Sequence, residues 1–165
     1  MKALKMMPLL AIIALLSFTS CSTESLPEDD ATTINLQDAP AAKLIEIEIL
    51  EKINEHRINI GLNPLENLGV IKSVAFSHTD YMVEVDNVSH DNFFQRKNSL
   101  IQNANATSVS ENVAYAYSSA ESVVNAWINS DGHRATIEGD YTDFDISAEQ
   151  NEEGKWYFTN IFIKR

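Results

Sequence analysis

Residues 108–135 read SVSENVAYAYSSAESVVNAWINSDGHRA, and this stretch decides the fold class because it changes from a strand pattern to a helix pattern. Its first part, as far as Tyr117, predicts a strand. Ser118 and Glu121 then have the spacing of a capping box, in which each side chain accepts a hydrogen bond from an otherwise unpaired backbone N–H. We therefore predict that a helix follows the strand directly. The buried face of this helix is formed by Val123, Val124, Trp127 and Ile128.

The elements on either side of this stretch complete the fold prediction. We expect the helix to end at Asp131-Gly132, which places His133 just past its end. Downstream, residues 144–148 and 156–163 predict two strands, one on each side of a glycine-containing turn. Upstream, periodic apolar positions predict helices over residues 41–60, 66–85 and 94–103. Helices and antiparallel strands are segregated along the chain, so the predicted class is α+β.

The composition limits the kinds of protein that this chain can be. Its 165 residues carry a formal net charge of −12, and 44% of them are hydrophobic, so we expect one globular domain with a buried core. A protein that binds nucleic acid needs a basic stripe for the phosphates, and this acidic chain predicts no such partner. Its single cysteine excludes a disulfide framework.

The N-terminal residues predict export and attachment to a membrane. Lysines precede a short apolar stretch, which is typical of a signal peptide over residues 1–20. The following residues Thr19-Ser20-Cys21-Ser22 resemble the lipobox of bacterial lipoproteins, and this resemblance implies that Cys21 becomes lipidated and holds the protein on the membrane. The acidic residues 21–39 are predicted to be a flexible linker, which leaves residues 40–165 as the domain. The expected location is extracytoplasmic, at the periplasmic face or at the cell surface.

Three residues stand out as candidates for site chemistry. His90, Glu111 and His133 each lie at the end of an element or in a loop, at spacings of 21 and 22 residues, so only the fold can bring them together. Two imidazoles and one carboxylate form an open set of zinc ligands with room for water. The alternative is that each histidine is an ordinary loop residue with its hydrogen bonds satisfied.

Five ordered blocks of sequence carry a family resemblance. They resemble blocks of the CAP superfamily, which comprises cysteine-rich secretory proteins, venom antigens and plant pathogenesis-related proteins, and the bacterial branch fits best. The blocks are Asn54-Glu55-His56-Arg57 with Gly61-Leu62-Asn63-Pro64-Leu65; Ala75-Phe76-Ser77-His78-Thr79-Asp80-Tyr81-Met82; Val88-Ser89-His90; Ser110-Glu111-Asn112-Val113-Ala114; and Trp127-Ile128-Asn129-Ser130-Asp131-Gly132-His133-Arg134-Ala135.

The resemblance implies an α/β/α sandwich, with a central antiparallel sheet between helical layers and an open cleft at one side. It also implies that His90, Glu111 and His133 face the cleft and can hold Zn²⁺ or another divalent metal. A second glutamate of many eukaryotic members has no counterpart here, since residues 91–110 contain no glutamate. His78 matches a histidine of the bacterial branch and is a further candidate ligand, with a hydrogen-bonded core histidine as the alternative.

Three functions are compatible with these residues. The first is a lipid-anchored binding module whose cleft holds a divalent metal and an unknown ligand such as a lipid, a peptide or a cell-wall fragment. The second is a metal-assisted hydrolase of a peptide or cell-envelope substrate, either with Glu111 as the catalytic residue that activates water or with Glu111 as a metal ligand and another group as the base. The third is an envelope scaffold without site chemistry. Replacing Glu111 by glutamine discriminates among them, because hydrolysis and metal affinity are lost together only in the second.

Overall fold

A computed structural model describes residues 38–165 of the chain. The predicted signal peptide, Cys21 and most of the predicted linker therefore lie outside the described residues. Within residues 38–165, five helices and four strands follow one another. In chain order they are α1 (Leu44–Asn59), β1 (Glu66–Asn67), α2 (Gly69–Glu84), α3 (Phe93–Ala104), β2 (Ser108–Tyr115), α4 (Ala120–Ile128), α5 (Asp131–Ile137), β3 (Asp143–Gln150) and β4 (Trp156–Lys164).

The four strands form one sheet between two layers of helices, as the resemblance implied. The strand order is β1-β3-β4-β2; β4 is antiparallel to both β2 and β3, and the two-residue β1 adds a short parallel pair with β3. The apolar side chains of α1, α4 and α5 pack on one face of the sheet, and those of α2 and α3 pack on the other. The α+β class is confirmed, and the sheet is mixed rather than purely antiparallel.

Helix α1 carries two polar side chains of the first sequence block that hold neighbouring segments in place. Ile49 and Ile53 lie one turn apart and therefore share the inner face of this helix, where both are fully buried. The Asn54 side chain exchanges two hydrogen bonds with the backbone of Leu65, at 2.8 and 3.0 Å. The guanidinium of Arg57 donates to three backbone carbonyls, those of Asn63, Ile137 and Gly139. Both side chains thus hold neighbouring segments against α1.

Charged side chains cover the part of the β3 edge that β1 leaves free. Strand β1 pairs with β3 only at its first two residues. Farther along, Asp145 Oδ1 accepts a hydrogen bond from the backbone N–H of Ile146 at 2.9 Å, and Lys72 Nζ donates to the Ile146 carbonyl at 3.3 Å. Glu46 Oε1 accepts from the backbone N–H of Ala148 at 2.8 Å. These three side chains satisfy backbone groups that a longer neighbouring strand would otherwise pair.

The structure corrects three local predictions. The capping box at the start of α4 joins Ser119 and Ser122, one residue after the predicted pair, because the helix starts one residue later. The predicted helix over residues 66–85 loses its first residues to β1. The pair Asp131-Gly132 opens α5 as well as following α4, since Ser130 has the extended backbone of an N-cap. His133 therefore lies in the first turn of a helix.

No helix within residues 38–165 has both the length and the apolar character needed to cross a membrane.

Candidate functional site

Strand β2 places two neighbouring side chains of the fourth sequence block on opposite faces of the sheet. Val109 belongs to the cluster beneath α2 and α3, and Ala114 belongs to the cluster beneath α1, α4 and α5. Because side chains alternate along a strand, Glu111 points toward α2 and α3, whereas Asn112 points toward α4 and α5. The Asn112 amide donates a hydrogen bond of 3.0 Å to the backbone carbonyl of His133.

Glu111 is the centre of a buried network of charged and polar groups. Its side chain is 1% exposed and its two oxygens accept hydrogen bonds of 2.7 Å from Nε and Nη2 of Arg96. Oε1 also lies 2.9 Å from Nδ1 of His90. Burial by itself raises the pKa of Glu111, but the hydrogen bonds from His90 and Arg96 and the charge of Arg96 outweigh it and hold this pKa below its usual value. Glu111 is therefore an ionised carboxylate.

The ionised state of Glu111 fixes the tautomer of His90. A carboxylate can only accept hydrogen bonds, so Nδ1 of His90 carries the hydrogen that it donates to Oε1. In the neutral ring the lone pair then lies on Nε2. The His90 side chain is 54% exposed, whereas its carboxylate partner is almost fully buried. The network thus presents one oriented imidazole at the surface of the domain.

His78 is a buried member of the same network. Its Nδ1 accepts a hydrogen bond of 2.9 Å from Nη1 of Arg96, and its Nε2 donates to the backbone carbonyl of Ser89 at 2.8 Å. Both ring nitrogens are thus occupied, as in the core-histidine alternative. Burial, followed by the charge of Arg96, lowers the pKa of His78, which keeps the ring neutral. His78 positions Arg96 and the loop that carries His90.

His133 lies apart from the Glu111 network. It occupies α5, and its Nδ1 is 2.8 Å from the hydroxyl of Ser130 rather than from any group of the network. Burial lowers the pKa of His133, and the charge of His90 lowers it further. The structure therefore brings His78, His90 and Glu111 into one hydrogen-bonded network and leaves His133 beside it.

The donor set in this arrangement does not fit a divalent metal. Both oxygens of Glu111 are held by Arg96, and a guanidinium repels a second cation at the same carboxylate. Within residues 38–165, no three side chains of His, Cys, Asp or Glu are grouped so that they could hold a metal ion. The binding of a metal by His90, Glu111 and His133 stays a prediction from the sequence.

Arg96 is the site residue that the sequence analysis missed. Its side chain is 2% exposed and donates to His78, to Glu111 and to the backbone carbonyl of Asp91. A signal for it was present in the sequence of α3. Phe93, Leu100 and Ala104 form the apolar face of that helix, and Arg96 lies on the same face at helical spacing. A cation among apolar positions indicates a buried ion pair, because charged side chains are rarely buried without a partner.

The comparisons with known proteins agree with the family that the sequence blocks indicate. The profile of the CAP family, described as the cysteine-rich secretory protein family, matches residues 50–162. An uncharacterized membrane protein of Bacillus subtilis, YlbC, is 33% identical over 124 residues, which are 73% of this chain and 34% of that protein. The chain thus spans about a third of the length of this relative.

Three solved structures share the fold. An outer surface protein of Borrelia burgdorferi has a TM-score of 0.64 and 24% identity, over 71% of this chain and 90% of that one. An extracellular protein of Bacillus anthracis that contains an SCP domain has a TM-score of 0.63 and 22% identity, over 73% and 40% of the two chains. A cysteine-rich secretory protein of Staphylococcus aureus has a TM-score of 0.62 and 22% identity, over 73% and 38%.

The family profile covers more than half of the chain, and the solved structures have the same sandwich of helices and sheet. The protein therefore belongs to the CAP family.

Proposed function

We propose that this protein is an extracytoplasmic, lipid-anchored binding module of the CAP family whose ligand is held at His90. The observation that carries the proposal is the half-exposed imidazole of His90, fixed by a buried carboxylate. An imidazole oriented in this way offers the lone pair of Nε2 to a hydroxyl or an amide N–H of a ligand. Peptides and cell-wall fragments are rich in both groups, so we favour them over a lipid.

The surroundings of His90 support binding more directly than hydrolysis. Within residues 38–165, no serine, threonine or cysteine side chain donates a hydrogen bond to His90, so a nucleophile prepared for attack is not part of the network. The Ser130 hydroxyl pairs with His133 instead, and the Ser89 hydroxyl accepts from the backbone N–H of Asp91. The metal-assisted hydrolase and the scaffold stay as alternatives.

A titration followed by NMR tests the ligand site. We would add soluble cell-wall muropeptides, short peptides and short-chain phospholipid separately to the purified ¹⁵N-labelled protein and follow the backbone amides of residues 89–96 and the His90 ring. We expect muropeptides or peptides to shift these signals, and His90→Ala to weaken binding by about tenfold or more, since an oriented hydrogen bond to a neutral group contributes about 1.5 kcal/mol.

His56→Ala is the matched control, because His56 pairs with Glu138 at 2.9 Å and lies outside the Glu111 network. This variant should bind as the wild type does. A response to phospholipid alone would assign a lipid ligand, and the absence of a response to every probe would leave the scaffold function. Equal loss of binding in His56→Ala and His90→Ala would contradict a site at His90.

The membrane anchor is proposed from the lipobox resemblance at Cys21. It is supported by relatives that are described as an outer surface protein, an extracellular protein and a membrane protein. In bacterial cells fed with labelled palmitate, we expect the wild-type protein to incorporate the label and Cys21→Ala to incorporate none, because the acyl groups need this thiol. Ser22→Ala should be labelled like the wild type. An unlabelled wild-type protein would refute the anchor.

A further inference from the structure

The guanidinium of Arg96 binds two side chains of the Glu111 network and one backbone carbonyl. Two of its nitrogens bind the two oxygens of Glu111, in the bidentate geometry that joins a guanidinium to a carboxylate most tightly. Its remaining terminal nitrogen, Nη1, donates to His78 at 2.9 Å and to the carbonyl of Asp91 at 2.6 Å. The guanidinium is thus fixed by α2, by β2 and by the loop before α3. It cannot leave Glu111 without giving up these other bonds.

Arg96 is the cation that neutralises the negative charge of Glu111. Glu111 and Arg96 are 1% and 2% exposed at their side chains, so water screens neither charge effectively. His78 is kept neutral by burial and by the charge of Arg96. A buried carboxylate needs a cation or several donors, and here the same group provides both. A divalent metal at Glu111 would have to displace Arg96 or share the carboxylate with it.

We propose that Arg96 supplies the positive charge that neutralises Glu111. This carboxylate then needs no metal in the wild-type protein, and it binds one only when Arg96 is replaced. In this arrangement Glu111 is a positioning residue, which orients His90 from within the domain and does not bind a metal. The inference rests on the proposed function only for the role of His90 as the exposed group.

Zinc titration of the purified protein by calorimetry, with thermal unfolding in parallel, tests this inference. In the wild type we expect no zinc affinity that depends on Glu111, so Glu111→Gln should leave the titration unchanged. Arg96→Met removes the guanidinium but keeps an unbranched side chain that extends to about the position of Nε. We expect this variant to unfold at a lower temperature without zinc, to bind zinc at least about tenfold more tightly than the wild type, and to regain thermal stability when zinc is added.

A double variant separates the charge from the packing. Arg96→Met combined with Glu111→Gln removes both charges, so we expect it to be more stable than Arg96→Met and not to respond to zinc. Wild-type protein that binds zinc through Glu111, or an Arg96→Met variant that is folded and binds zinc no more tightly, would overturn the inference. If Arg96→Met does not fold with or without zinc, the comparison of wild type with Glu111→Gln decides.

The same experiment is independent of the organic ligand. Zinc is the only probe, so the result does not depend on whether a peptide or a muropeptide binds at His90. Conversely, the NMR titration would still detect such a ligand if the role of Arg96 were refuted. His90→Ala and His133→Ala, added to the zinc titration, show whether any remaining affinity comes from the imidazoles.

Discussion

Replacing Glu46 by alanine is expected to lower the free energy of unfolding by about 3–5 kcal/mol, the cost of breaking a buried ion pair by removing one partner. The Glu46 side chain is 1% exposed, and its Oε2 accepts from Lys72 Nζ and from the backbone N–H of Lys43, each at 2.7 Å. Its Oε1 accepts from the backbone N–H of Ala148. Alanine would leave an ammonium group and two backbone donors without their partner.

Urea unfolding at pH 7, followed by circular dichroism, measures this loss. Glu55→Ala is the matched control, because Glu55 is an exposed residue of the same helix, and its replacement should change the free energy of unfolding by less than about 0.5 kcal/mol. Similar values for the two variants would contradict the role assigned to Glu46. The variant Glu46→Ala with Lys72→Met should recover part of the loss, since it removes the unpaired ammonium.

Replacing Asp145 by asparagine is expected to stabilise the protein at neutral pH. Burial raises the pKa of Asp145 to about 6; the backbone N–H of Ile146 and the charge of Lys72 counteract this rise, whereas the charge of Glu46 adds to it. The folded protein therefore holds this proton more tightly than the unfolded chain does. The stabilisation that protonated Asp145 provides is complete below the unfolded pKa of 3.8 and is lost as the pH rises through about 6.

The expected difference is roughly 3 kcal/mol at pH 7, since each pKa unit corresponds to about 1.4 kcal/mol. At pH 3.5 the wild type and Asp145→Asn should differ little, because the carboxyl is then protonated in both the folded and the unfolded chain. Urea unfolding at the two pH values measures this change. Asp80→Asn, at an exposed position of α2, should change stability by less than about 0.5 kcal/mol at either pH. An Asp145→Asn variant less stable than the wild type at pH 7 would refute this account.

The major elements could be predicted because their apolar patterns are long and regular. The α1 segment alternates Ile and Glu over residues 45–49 as a strand does, but the longer helical period is correct. The short elements were not predicted. Strand β1 has two residues and exists only through its pairing with β3, and α5 spans seven residues, so local sequence carries little information about either.

The candidate site could be predicted only in part, because its chemistry depends on contacts between distant segments. His90 and Glu111 were predicted as site residues, and in the structure His90 Nδ1 lies 2.9 Å from Glu111 Oε1. The prediction did not include Arg96, although this residue determines the charge of the site. The sequence blocks show which residues can act in a site, whereas the partner of each carboxylate is settled by packing. Asp145 and Glu46 show the same limit, since neither stands out in the sequence from the many acidic residues that lie on the surface.

The charged edge of β3 has a consequence for how molecules of this protein meet one another. An uncovered strand edge is a template on which another chain can add a strand, and this is a common route to aggregation. Here β1 covers the first residues of that edge, and Asp145, Lys72 and Glu46 occupy the backbone groups at Ile146 and Ala148. An incoming strand would have to displace three charged side chains to pair there. Asp145, whose replacement is expected to change the pH dependence of stability, is thus also one of the side chains that close this edge to other chains.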